Sequence, residues 1–184
     1  MMQDAASRYL VKWLCHDLAT PVGGVLTASE LMDPATADAE LVELVQGGAR
    51  RLAGRLQLLR VGLGAAGSPM GNAALEKLVR AGLDGVAIDW QRSGDADGDT
   101  VALVAGAALL VADQFRLRAL VVGNAGISVA GGAAWPESVA AALAGDAPLC
   151  NRGAVAGRIA DSAARLGLRL VATANGLEWR AKPD

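Results

Sequence analysis

The chain has 184 residues, enough for one large domain or two small ones, and 53% of them are hydrophobic. That fraction, with a mean hydropathy of +0.33, excludes a disordered polar chain. A formal charge of −2, with no basic block interleaved with aromatics, argues against nucleic acid as a partner. The longest uninterrupted apolar run, 12 residues from Val101 to Ala112, is too short to span a bilayer. Aromatics make up only 3% of the chain, so alanine, leucine and valine must build the core. No charged-then-apolar leader precedes the first helix, and the expected location is cytoplasmic, with no membrane partner. Cys15 and Cys150 form no metal-binding spacing and are expected to be reduced thiols there.

Taken in order, the chain opens with an amphipathic helix expected from about Asp4 to Met32. Val11, Leu14, Leu18, Val22 and Val25 recur at three- and four-residue spacing and predict one packed seam. Asp33-Pro34 ends the helix, Ala35 to Ala37 make a short turn, and a second helix opens near Asp38. Val42, Val45, Ala49, Leu52, Leu56, Leu59 and Leu63 give it a coiled-coil-like repeat. Two long helices joined by a short loop are antiparallel neighbours. A lone pair leaves much of both stripes wet, and a fully buried Leu or Val is worth about 1.5–3 kcal/mol. The expectation is therefore a homodimer whose four helices form one bundle; the alternative is that both stripes fold back on the protomer's own second domain.

Gly64 to Gly71, with Ser68 and Pro69, marks the boundary between a helical domain, residues 1–66, and a second domain, residues 67–184. Beyond it the pattern alternates. Asn72 to Leu83 reads as a helix, Val86 to Gln91 as a strand, and Gly94 to Asp99 as a solvated acidic turn. Thr100 to about Phe115 is apolar nearly all round, hence a buried helix. Leu117 to Val122 and Ile127 to Ala130 read as strands joined through Gly123-Asn124-Ala125-Gly126. Pro136 to Ala144 and Arg152 to Leu166 read as helices, and Leu168 to Thr173 and Leu177 to Arg180 flank a hairpin turn at Asn175-Gly176. The fold class is α+β: a long helical hairpin followed by an α/β sandwich with helices on one face of a mixed sheet.

His16, the only histidine, sits within the first helix. At 3.6 residues per turn it lies roughly 160° around the helix from Leu14 and Leu18, which argues against a buried structural role. Lys12, Thr20, Gly23 and Thr27 fall within a short arc of it. Pro21 removes the N–H that would bond the Asp17 carbonyl, and a helix-interior proline typically costs about 3 kcal/mol. Gly23 and Gly24 each add about 0.5–1 kcal/mol relative to alanine. Stability is sacrificed here for shape. The small residues leave room for another backbone to approach the imidazole, so Lys12, Ala19, Gly23 and Thr27 are candidate partner-docking positions.

His16-Asp17-Leu18-Ala19-Thr20-Pro21-Val22 resembles the phospho-accepting box of two-component histidine kinases, H-[ED]-[LF]-x-x-P. Gly48 to Leu52 and Leu59 to Gly67 are similar to the end of the second helix in the histidine phosphotransferases of alphaproteobacterial phosphorelays. That resemblance implies a dimer with a kinase-like hairpin and a degenerate ATPase-like second domain. Kinases of this superfamily hold magnesium and ATP with an asparagine-bearing helix and a D-x-G-x-G loop. The corresponding helix, Val104 to Asp113, has no asparagine, and no D-x-G-x-G occurs between Asn151 and Asp184 or in the region before it. The acidic turn lacks the terminal Glu of an EF-hand loop, with Gly106 in its place, and the glycine-rich turns precede no Lys-Ser/Thr.

A phosphorylatable histidine without an ATP site takes its phosphoryl group from another protein. The resemblance implies that His16 is the phosphoacceptor and that the partners are receiver domains of a hybrid kinase and a response regulator. No cofactor is expected in this chain, and Mg2+ is expected from the receiver. By the same resemblance Asp17 accepts a hydrogen bond or proton near the imidazole, its alternative being a solvated helix charge. Thr20, one turn on from His16, could contact the phosphoryl group or be an ordinary exposed threonine. Competing readings are an atypical ATP-dependent histidine kinase and a non-catalytic dimeric scaffold.

Overall fold

A computed structural model of the protein describes residues 2–31, 39–64, 68–115 and 119–182. The expected turn after Asp33-Pro34, the middle of the Gly64–Gly71 boundary and the start of the strand expected from Leu117 lie outside these residues. The elements run α1 (Met2–Glu30), α2 (Ala39–Leu63), α3 (Asn72–Gly82), β1 (Ala87–Trp90), α4 (Gly98–Phe115), β2 (Ala119–Val122), β3 (Gly126–Ser128), α5 (Glu137–Ala144), α6 (Asn151–Arg165), β4 (Leu168–Thr173) and β5 (Gly176–Ala181). Every expected helix and strand is present, with ends moved by a few residues.

The five strands form one mixed sheet in the order β1-β2-β3-β5-β4. Only β1 and β2 are parallel; the other pairs are antiparallel. Ile88, Leu120, Val122, Ile127, Leu177 and Trp179 are buried, whereas their neighbours Asp89, Ser128 and Arg180 are exposed. That alternation is the period-two signature of a sheet covered by helices on one side. The β4–β5 turn is shifted by one residue from the expected Asn175-Gly176. Ala174 and Asn175 form it, and Gly176 already pairs with Thr173. Gly176 has φ +142°, and a Cβ there would run into Ile127 and Ser128 of β3, so glycine is required by the strand pairing rather than by the turn.

Helix α4 is the hub. Every residue from Val101 to Val111 is buried, because α4 is packed between α2, α6 and the sheet. By length and composition it is also the one described helix apolar enough to cross a membrane, and its burial accounts for that composition. The acidic turn before it is a cap rather than a merely solvated loop. Asp97 accepts the Thr100 amide at 2.8 Å, Asp95 accepts the Asn72 amide, and Asp99 pairs with Arg165 at 2.7 Å. The Thr100 amide and hydroxyl hold the Asp97 carboxyl below the ordinary carboxylate range.

Helices α1 and α2 are an antiparallel pair, since Asp17 meets Arg55 while Val25, further along α1, meets Gly48, further back on α2. The seam expected on α1 divides. Leu14, Leu18 and Val25 are half-buried, but Val11 and Val22 are 58% and 47% exposed. Leu58, fully buried, faces the other way, between Gly54 and Gly62 on the side of α2 that meets α3 and α4. A Cβ at Gly62 would lie 2.6 Å from the Gly106 amide nitrogen, so two glycines let α2 and α4 touch backbone to backbone. One core runs from Trp13 through Leu58, α4 and Trp179. Residues on either side of the 66/67 boundary therefore share it. After the boundary, Met70 and Ala96 are bridged by paired backbone hydrogen bonds of 2.8 and 3.0 Å.

Candidate functional site

Among the described side chains of α1, only Trp13 and Ala28 are enclosed; the helix lies on the surface of the molecule. His16 is exposed one turn on from Trp13, and Lys12, Ala19, Thr20, Gly23 and Thr27 are exposed around it. A Cβ built on Gly23 or Gly24 meets nothing within 4 Å. The small residues after His16 thus border open space, and the polar arc expected from the helical wheel is a continuous exposed strip.

Asp17 is not the solvated helix charge of the alternative reading. Its two carboxylate oxygens accept from Nη2 and Nε of Arg55, both at 2.7 Å, in a fork-to-fork pair only 16–19% exposed. Arg55 also donates to the Gly82 carbonyl at 3.3 Å. The residue next to His16 therefore ties α1 to α2 and α3, and it orients the helix that presents the imidazole. The cause is the 100° step per residue, which turns Asp17 inward where His16 faces out.

The sequence reading missed the other wall of the site. His16, Tyr9 and Trp13 border a cleft of about 570 Å³ whose far side comes from the end of α4 (Asp113) and the entry to α6 (Leu149 to Arg152). Arg152 donates through Nε to Asp113 across that wall. Cys150 caps α6, its sulfur accepting the Gly153 amide at 3.2 Å, with the Ser138 hydroxyl 3.4 Å away. These residues lie over 90 positions from His16 in the chain, and only packing of α1 on α6 brings them together. Arg152 did carry one local signal: a cation in the first turn of a helix opposes the macrodipole, and α6 has no acid there to offset it. Among the described residues no group of three or more His, Cys, Asp and Glu side chains is arranged to hold a metal ion.

The fold is similar to that of a solved bacterial phosphotransferase. A solved structure described by that name superposes with a TM-score of 0.71 over 95% of this chain and 94% of its own, at 21% identity. In sequence, 55 residues, 30% of this chain, are 40% identical to protein phosphotransferase ChpT of Brucella abortus (strain 2308). That match spans about a quarter, 26%, of the relative's length. No family model matches the chain. Both similarities agree with the resemblance carried by the residues around His16.

Proposed function

We propose that this protein is an ATP-independent histidine phosphotransferase that relays a phosphoryl group between receiver domains through His16. The observation that carries the reading is the chain's single histidine, exposed on a surface helix with open space beyond Gly23 and Gly24. An exposed neutral imidazole has a ring-nitrogen lone pair available for attack. In the first step that nitrogen attacks the phosphorus of an aspartyl phosphate on the donor receiver. The N–P bond forms, the acyl O–P bond breaks, and the donor aspartate leaves as a carboxylate, while the proton on the other ring nitrogen is free to pass to water. The second step reverses this onto the aspartate of the acceptor receiver. Such transfer is in-line and loose, so the catalyst mainly positions the groups and neutralises charge. Mg2+ and the acids that hold it would belong to the receiver.

Two features support the finer parts of this reading. Helix α4, which the resemblance aligns with the magnesium-holding helix of the kinases, is walled in by α2 and α6 and has no open face for a nucleotide along Val101 to Val111. On α1, the exposed Val11, Val22 and Leu26 lie within roughly 60° of one another, well round the helix from His16. An apolar groove of about 350 Å³, lined in part by Leu14, Leu18, Leu56 and Leu59, lies between α1 and α2. A second copy seated there would bury the apolar surface and leave His16 clear, which favours a homodimeric bundle. We place the protein in the cytoplasm, where receivers act. The test is incubation with a radiolabelled phospho-receiver. Wild type gains label and His16→Ala does not; equal labelling of both proteins would end the phosphotransfer reading.

A further inference from the structure

Among the described residues, Arg152 is the one cationic side chain lining the cleft that His16 borders. Its position is electrostatically awkward, since it sits in the first turn of α6, where the helix dipole favours anions. Asp113 compensates from the end of α4, but it engages only Nε, and no described hydrogen bond uses either terminal nitrogen of the guanidinium. The pair is 34% and 28% exposed, so it is a solvent-screened contact that contributes little on its own. A phosphoryl group on His16 would bring up to two negative charges and three acceptor oxygens to the same cleft. A guanidinium fork suits those oxygens bidentately, whereas its present contact with the carboxylate is through one nitrogen.

We propose that Arg152 is a phosphohistidine clamp: when His16 is phosphorylated, its guanidinium releases Asp113 and binds the phosphoryl oxygens. Asp113 is the resting partner that holds the arginine in place and competes with the phosphoryl group for it. This rests on the phosphotransfer reading and adds a positioning pair from the second region of the chain. The pair sets how much phosphate resides on His16 at equilibrium with a receiver.

The two partners make opposite predictions, which a purely structural ion pair does not. Full-length protein is equilibrated with a limiting amount of phospho-receiver, and the ratio of phosphohistidine to phospho-receiver is read from acid-labile label. Arg152→Gln lowers that ratio about fivefold, as expected for losing a partly exposed charge-assisted contact. Asp113→Asn raises it about twofold by freeing the arginine, and Arg152→Lys falls between wild type and Arg152→Gln. Thermal unfolding of each variant identifies any that fails to fold, and Asp113→Asn alone still decides the sign if Arg152→Gln is lost. A ratio unchanged or lowered in Asp113→Asn, or unchanged in a folded Arg152→Gln, overturns the clamp while leaving His16 as acceptor. Label persisting in His16→Ala instead overturns the phosphotransfer reading on which the clamp depends.

Discussion

Helices α1 and α4 are both long, yet the chain treats them in opposite ways. Helix α4 is uniformly apolar from Val101 to Val111 and uniformly enclosed, with neighbours on every side. Helix α1 carries Pro21, Gly23 and Gly24, is anchored by Trp13 and Ala28, and leaves its other described side chains in solvent or half-covered. The difference separates two tasks. Stability resides in the Val101–Val111 stretch of α4, where the side chains are enclosed by packing and out of reach of a partner. The proposed chemistry resides on the exposed strip of α1 around His16, where substitutions cost the fold little and matter for what approaches.

The sharpest way to break that contrast is to cut the hub. Leu109→Ala should destabilise by about 2–5 kcal/mol, because the cavity opens where α4 has no freedom to collapse; a smaller loss in urea unfolding would mean that α4 is not the hub. Next in size is the tie that joins the two regions. Asp17→Asn leaves Arg55 without its anionic partner and should cost about 1–3 kcal/mol, between the values for surface and buried pairs. It should slow phosphotransfer through misorientation of α1 rather than abolish it, as His16→Ala does, and single-turnover labelling distinguishes the two.

A smaller effect belongs to the cap of α4. Asp97→Ala should cost about 0.5–2 kcal/mol, the usual range for a lost N-cap. The Thr100 hydrogen bonds depress the folded carboxyl, so its contribution is present above its ordinary value of 3.8 and is lost as pH falls through the lower folded-state value. The stability gap between wild type and Asp97→Ala should therefore be flat near neutrality and close only in acid. A gap that closed between pH 6 and 8 would show that another group is responsible. The smallest stability change is expected for Gly23→Trp, within about 0.5 kcal/mol, since the side chain enters open space. Yet this variant should lose receiver binding, and a folded Gly23→Trp protein that binds normally would remove Gly23 from the docking face.

The same contrast explains what was legible beforehand. Apolar patterning and turn residues placed the eleven elements of the described residues, and the featureless hydrophobicity of α4 announced its burial. His16 and its exposed arc were readable because the helical period turns spacing into direction. Two things were not readable. Val11 and Leu14 are equally apolar, so composition did not reveal that one meets α2 and the other meets solvent. The far wall of the cleft depends on α6 lying beside α1, a juxtaposition of distant segments that leaves no mark in the sequence near His16. Asp17 was legible as a neighbour of the histidine but not as Arg55's partner, 38 residues away.

The most direct measurement is the chemical position of the phosphoryl group. Purified protein is exposed to a phospho-receiver with no nucleotide present, digested under alkaline conditions, and mapped by mass spectrometry. The account predicts one modified residue, His16, with the modification lost on brief acid treatment. A phosphoryl group found on any other residue, or appearing only when ATP is added, would contradict it.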